Sequence, residues 1–289
     1  MFSIALKSEQ YPTYVLSDQA AGARLEVVSD RGGLITRWQI QEQEILYFDA
    51  ERFANPALSV RGGVPILFPI CGNLPDNIYS HEGQTYTLKQ HGFARDLPWE
   101  ITDRGVQSGA HLTLVLNSNE QTRAVYPFDF QLAFTYRLRG KTLEIKQRFT
   151  NRSDKPLPFS IGLHPYFGVT DKTQLAFEIP STQFQDQNTQ VIHPFSGAFD
   201  FNQDEIDVAF LNLASNSAAV TDTQQNLKLT LEWDESYSTL VFWTVKDKDY
   251  YCLEPWSAPR NALNTGDHLI TLDPRRTYET QVKMTVDLL

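Results

Sequence analysis

Apolar and polar residues alternate with period two through most of this chain, and that alternation restricts its fold more than any other feature. Between Phe128 and Leu138 the residues Phe130, Leu132, Phe134, Tyr136 and Leu138 fall on one face, while Asp129, Gln131, Thr135 and Arg137 fall on the other. Successive side chains of an extended strand point to opposite sides, so this reads as a strand with one buried face. Arg139-Gly140-Lys141 turns the chain, and Leu143, Ile145, Gln147 and Phe149 form the partner strand. The same pattern marks Arg24 to Val28, His111 to Leu116, Leu227 to Trp233, residues 239–245 and Tyr278 to Val286. Leu34 to Ile40 and Glu44 to Tyr47 read as a hairpin across Gln41-Glu42-Gln43, after a turn at Asp30-Arg31-Gly32-Gly33. Helix candidates are few and short, one of them at Ala50 to Ala54, and none carries an apolar stripe at period 3.6. Many strands with few helices predict an all-β antiparallel sandwich or barrel. The 289 residues show no boundary or internal repeat, so residues 1–289 are read as a single domain.

From Phe53 to Arg95 the character changes. Pro56, Pro65, Pro69 and Pro75, with Gly62, Gly63, Gly72, Gly83 and Gly92, interrupt regular structure. Ile66, Leu67, Phe68 and Ile70 would nevertheless be buried, which predicts a functional loop system rather than a linker. Thr182 to Asp204, rich in Gln, Asp and Asn, reads as surface loop and short strands.

Thirty-five acidic against 25 basic residues give a net charge of −10, which argues against nucleic acid as a partner. Cys71 and Cys252 are too few for a disulfide framework and read as reduced, buried thiols. Met1 to Lys7 lacks the pattern of a secretory leader, and no stretch is long and apolar enough to cross a bilayer. A cytoplasmic protein without membrane contacts is expected. No dinucleotide fingerprint, P-loop, HExxH, CxxC or GxSxG occurs. The six histidines show no metal-ligand spacing on one element, so neither a metal nor a cofactor is expected.

Two residues then stand out. His164, in Ser160-Ile161-Gly162-Leu163-His164-Pro165-Tyr166-Phe167, precedes a proline and so sits extended at a strand end. An imidazole there can move a proton near neutral pH, or it can be a histidine satisfied by a backbone carbonyl. Glu254, in Leu253-Glu254-Pro255-Trp256, is either paired with a cation or desolvated with a raised pKa, and the second makes a useful base. Trp256 fills core or, if exposed, offers a platform for a sugar's C–H face.

Four segments give these residues a context. They are Arg61-Gly62-Gly63-Val64-Pro65-Ile66-Leu67-Phe68-Pro69, His91-Gly92-Phe93-Ala94-Arg95, Leu163-His164-Pro165-Tyr166-Phe167, and Glu254-Pro255-Trp256 followed by Asn261. In this order the chain resembles the aldose 1-epimerase (mutarotase) superfamily from Leu25 to its end. The resemblance implies a β-supersandwich, two large antiparallel sheets packed face to face with few short helices, and a site in a groove on one sheet. It implies that His164 is the general acid and Glu254 the general base. Arg61, His91 and Asp207 would bind the sugar. Arg95 would hold a phosphate together with Arg61, or pair with Asp96 or another carboxylate. The implied reaction interconverts α and β anomers of an aldohexose, with carboxylate and imidazolium on opposite sides of the pyranose. The partner would be a small sugar or sugar phosphate, and the protein a monomer or homodimer. The Cys71 to Tyr79 loop departs from the hexose-6-phosphate branch, which favours a free aldose. The alternatives are hexose-6-phosphate 1-epimerase, a non-catalytic carbohydrate-binding protein and a glycosidase using Asp207 with Glu254.

Overall fold

In the computed structural model, which describes residues 1–289, the alternating segments become strands of two large antiparallel sheets. One eight-stranded sheet runs, in spatial order, through the strands Leu175–Glu178, Ser217–Asp222, Leu227–Trp233, Thr277–Leu288, Thr142–Asn151, Phe130–Arg139, Ala110–Asn117 and Glu100–Gly105. The second contains Ile192–Pro194, Gln183–Asp186, Glu205–Phe210, Thr239–Val245, Tyr250–Trp256, Gly162–Leu163 and Ile66–Leu67, with Tyr166–Gly168 also paired to Tyr250–Trp256. The architecture is the antiparallel supersandwich. A cluster of 58 buried residues fills the space between the layers. It takes Phe134, Ile145, Phe149, Val282 and Met284 from the first sheet and Phe210, Leu240, Phe242, Tyr251 and Leu253 from the second. Burying two such apolar faces against each other is what drives sheets to pack.

A five-stranded sheet formed by residues 2–44 extends the structure at its N-terminal side. Its last turn is tighter than the sequence predicts. Leu34–Ile40 pairs with Gln43–Glu44, and only Gln41 and Glu42 form the turn, both at positive φ. This is the arrangement that two-residue hairpins favour, because it matches the strand twist. The short helix Ala50–Ala54 forms where expected, with the Asp49 side chain accepting from the Arg52 N–H. Two more, Glu120–Val125 and Ala262–Thr265, are too short to carry a readable apolar stripe.

The irregular segment from Phe53 to Arg95 is anchored rather than loose. Ile66, Leu67 and Phe68 are fully buried and Ile70 nearly so. Arg31, read from sequence as a turn residue, is buried and donates to the carbonyls of Phe53, Asn55 and Leu58. That clamp fixes the backbone leading into Val60 and Arg61.

Candidate active site

The second sheet has one face on the core and one face turned away from it, and the outward face forms the floor of a cavity of about 220 Å³. Strand register decides which side chains reach it. Gly162 pairs with Trp256, Tyr166 with Cys252 and Gly168 with Tyr250. The same register sets His164 opposite Glu254. On the other flank Glu254 faces Val241, Cys252 faces Trp243, and Trp243 in turn faces Asp207. Leu163, Phe167, Tyr251 and Leu253, on the alternate positions, go into the core.

Small residues stand opposite large ones along this floor. A Cβ on Gly162 would lie 2.8 Å from the Trp256 ring and 2.9 Å from Cys71 Sγ, so only glycine admits the indole. Trp256 is 1% exposed and its indole N–H donates to Glu254 Oε2 at 3.1 Å. A flat platform for a sugar therefore does not come from Trp256, which borders the cavity but is almost wholly buried. The half-buried Trp243 occupies that position in the cavity wall, with the Arg61 guanidinium 5.5 Å over its ring and its N–H donating to Glu205 at 2.7 Å.

The other carboxylate oxygen of Glu254, Oε1, lies 3.3 Å from His164 Nε2. Glu254 is 1% and His164 7% exposed. Tyr166 stacks on the His164 imidazole, centroid to centroid 4.7 Å with the rings 7° apart, while His91 meets its edge at 5.5 Å. Burial acts in opposite directions on the pair. It pushes the imidazole down to about 3, with Arg95 and Arg61 nearby adding to the effect. It pushes the carboxyl well above its ordinary value, with Asp207 adding, while the Trp256 N–H, Arg260 and Arg95 oppose. Each group alone is costly to charge here, so one proton shared between the two is the favoured state.

His91 is held by two backbone bonds: its N–H donates to the Gly72 carbonyl at 2.7 Å, and its Nδ1 accepts from the Gly72 N–H at 3.1 Å. Burial, then the Arg95 charge, pushes its pKa well down, so the ring is neutral. With Nδ1 accepting, the proton resides on Nε2, which becomes a fixed donor. Gly92, at positive φ, is required beside it, because a Cβ there would sit 2.2 Å from the Phe68 carbonyl oxygen.

Three arginines line the cavity: Arg61, Arg95 and Arg260. Arg260, which sequence reasoning missed, bonds Asp207 Oδ2 at 2.5 Å and Asn73 Oδ1 at 3.2 Å. Its place four residues beyond Trp256, next to Asn261, is the signal that would have found it. Asp207 thus lies in the cavity wall, already tied to a cation. Arg95 has no carboxylate partner, neither Asp96 nor another. It donates to the Gln90 carbonyl at 3.0 Å, and Arg61 reaches only the Tyr250 hydroxyl at 3.4 Å. Tyr166, passed over in its motif, shares the groove face with His164 simply by standing two positions after it.

A family model described as aldose 1-epimerase matches residues 14–285. The chain belongs to the aldose 1-epimerase family. Among solved structures it is similar to the Slr1438 protein of Synechocystis sp. PCC 6803, with 46% identity, all of both chains covered and a TM-score of 0.96. A galactose mutarotase-like protein of Clostridium acetobutylicum shares the fold at 18% identity, over 100% of this chain and 99% of the other, with a TM-score of 0.84. A Cenchrus ciliaris protein provisionally named glucose-6-phosphate 1-epimerase is 26% identical over 227 residues, 75% of this chain and 66% of its own. As a family member the chain is an isomerase acting on carbohydrates, and all seven residues singled out from sequence line one cavity of this epimerase fold.

Proposed function

We propose that this aldose 1-epimerase interconverts the anomers of an aldohexose bearing an anionic group, a hexose phosphate, with Glu254 and His164 as the acid–base pair. Anomer exchange removes the proton from the C1 hydroxyl and delivers one to the ring oxygen. The C1–ring oxygen bond then opens, C1–C2 rotates and the ring recloses on the other carbonyl face. Both oxygens are bonded to the same carbon. A carboxylate and an imidazole 3.3 Å apart, side by side rather than on opposite sides of the pyranose, suit that demand. This pair, buried 3.3 Å apart in the cavity wall, is the observation that carries the reading. Transfer of the shared proton from Glu254 to His164 gives the form that reacts: Glu254 as carboxylate takes the C1 proton while His164 as imidazolium donates to the ring oxygen, and the roles reverse in the other direction. Neutral His91 offers an N–H donor to the sugar. Arg61, Arg95, Arg260 and Asp207 in the cavity wall supply further hydrogen-bonding capacity for a polyhydroxylated ligand.

The anionic group follows from Arg61 and Arg95. Two guanidinium groups without carboxylate partners in a small cavity suit an oxyanion, which arginine binds by paired donors. The name given to the Cenchrus ciliaris relative points the same way. The test is magnetisation exchange between the anomeric proton signals of glucose 6-phosphate, glucose and galactose, with and without enzyme. Catalysed exchange should be much faster for the phosphate, and Arg95→Ala should raise its KM by about ten- to a hundredfold while leaving glucose little changed. Equal rates for phosphorylated and free sugar would return the assignment to a free aldose. No catalysed exchange with any of them would leave a binding protein.

A further inference from the structure

The register that sets His164 against Glu254 also brings Cys252 to the same face, two positions along the strand and opposite Tyr166. The ligating atoms of His164, Cys252 and Glu254 all lie within 4.8 Å of one another, and the three residues are buried. Searching for ligand spacing on one element misses this set, because its donors come from two neighbouring strands.

We infer that His164, Cys252 and Glu254 form a capture site for a thiophilic divalent cation such as Zn²⁺, and that filling it shuts the enzyme off in competition with substrate. Imidazole nitrogen, thiolate and carboxylate are a three-ligand set of the kind that leaves a fourth position of a tetrahedral ion open. Metal–ligand bonds of about 2.0–2.3 Å place tetrahedral donors about 3.3–3.8 Å apart. His164 Nε2 and Glu254 Oε1 already meet that at 3.3 Å, and the thiol, with all three ligand atoms within 4.8 Å of one another, has at most about 1.5 Å to close. His164 and Glu254 line the cavity where substrate would bind, so an ion held by them would compete with it. Softness of the sulfur selects Zn²⁺ or Cd²⁺ over Mg²⁺, which requires oxygen ligands in octahedral geometry. Entry of the ion expels the thiol proton and the proton shared by His164 and Glu254, so capture strengthens as pH rises.

The role of His164 and Glu254 in turnover rests on the proposed function, but metal capture has a readout of its own. Cd²⁺ added to the reduced full-length protein should produce the ultraviolet thiolate-to-metal charge-transfer band with one ion per chain. Cys252→Ser should abolish the band, and Cys71→Ser should leave it intact. In activity assays Zn²⁺ should raise the apparent KM without lowering kcat, and Mg²⁺ should do nothing. Cys252→Ser, or Cys252→Ala if serine impairs folding, should keep metal-free activity and need at least about tenfold more Zn²⁺ for the same inhibition. A band that survives Cys252→Ser, or no band in the parent protein, overturns the site whatever the sugar assays give. Zn²⁺ inhibition unchanged by both Cys252 replacements overturns the link between capture and turnover.

Discussion

At the scale of single residues the site is governed by desolvation. An isolated carboxylate or imidazolium is costly in a buried pocket, and only the shared proton makes Glu254 and His164 tolerable neighbours. Glu254→Gln keeps the shape, cannot accept a proton, and should lower kcat by about 10²–10⁴-fold with an unchanged circular dichroism spectrum. Near-parental exchange rates in the folded variant would remove Glu254 from the mechanism. The pair also predicts the pH profile. Activity falls when the pair takes up a second proton and when it loses its last, and burial drives these two events apart. The plateau of kcat/KM should therefore be wider than the interval between an ordinary carboxyl at 4.5 and an ordinary imidazole at 6.5. A narrow bell with limbs at those two values would show that the pair titrates as if solvated. Stability carries a related signature. His91 has a folded pKa well below 6.5, so beneath that pH the unfolded chain binds a proton that the folded one does not, and this contribution to stability is lost as pH falls. The loss begins near 6.5, and the pair of His164 and Glu254 adds little to it down to 4.5, because it holds one proton folded and one proton, on the imidazole, unfolded. The urea midpoint at pH 5 relative to that at pH 7 should be higher in His91→Asn than in the parent protein, and an unchanged relation would count against a buried neutral imidazole at His91.

At the scale of elements, the central strand Tyr250–Trp256 and its neighbours make the groove. Cross-strand complementarity sets the position of Glu254: glycine at 162 makes room for Trp256, and the indole N–H then holds one carboxylate oxygen while the other faces His164. Gly162→Ala should force the indole aside and cost about 1–3 kcal/mol, as overpacking in a filled core does. Chemical denaturation measures the stability loss, and the exchange assay should show a fall in kcat larger than any change in KM. A variant as stable and active as the parent would mean that the Trp256 ring has room to spare. Ser257 reinforces the same junction, its N–H donating to the Ile161 carbonyl at 2.8 Å and its hydroxyl accepting from the Ile161 N–H at 2.9 Å.

At the scale of the molecule, one cluster of buried residues runs from Leu16 to Val286 and draws on both large sheets and the N-terminal one. We propose on that ground that residues 1–289 fold as one cooperative domain. Near-ultraviolet circular dichroism and intrinsic fluorescence should report a single coincident unfolding transition. Two separated transitions would identify the five-stranded sheet of residues 2–44 as an independent unit. The cavity sits in an acidic protein of net charge −10, yet its wall carries three arginines and places only one of them against a carboxylate. Local arrangement, not total charge, sets what the groove attracts.

The strands were legible because alternation is local: in Phe130–Arg139 each residue's side of the sheet follows from the one before it. The four motifs named the family and six of the seven candidate residues, Asp207 coming only from the wider resemblance, since glycines such as Gly92 and prolines such as Pro65, Pro69 and Pro165 encode backbone shapes that few sequences satisfy. What alternation cannot give is which strand lies beside which, and at what register. That Glu254 meets His164 side by side, that Trp256 is buried while Trp243 lines the groove, and that Cys252 joins the pair depend on pairings between residues about ninety positions apart. The pairing of Arg260 with Asp207, and the absence of a carboxylate beside Arg95, arise the same way. Sequence determined the faces, because side-chain direction alternates along a strand. Only the tertiary structure decided the neighbours, because burial, proton sharing and charge balance are properties of groups brought together across the sheet.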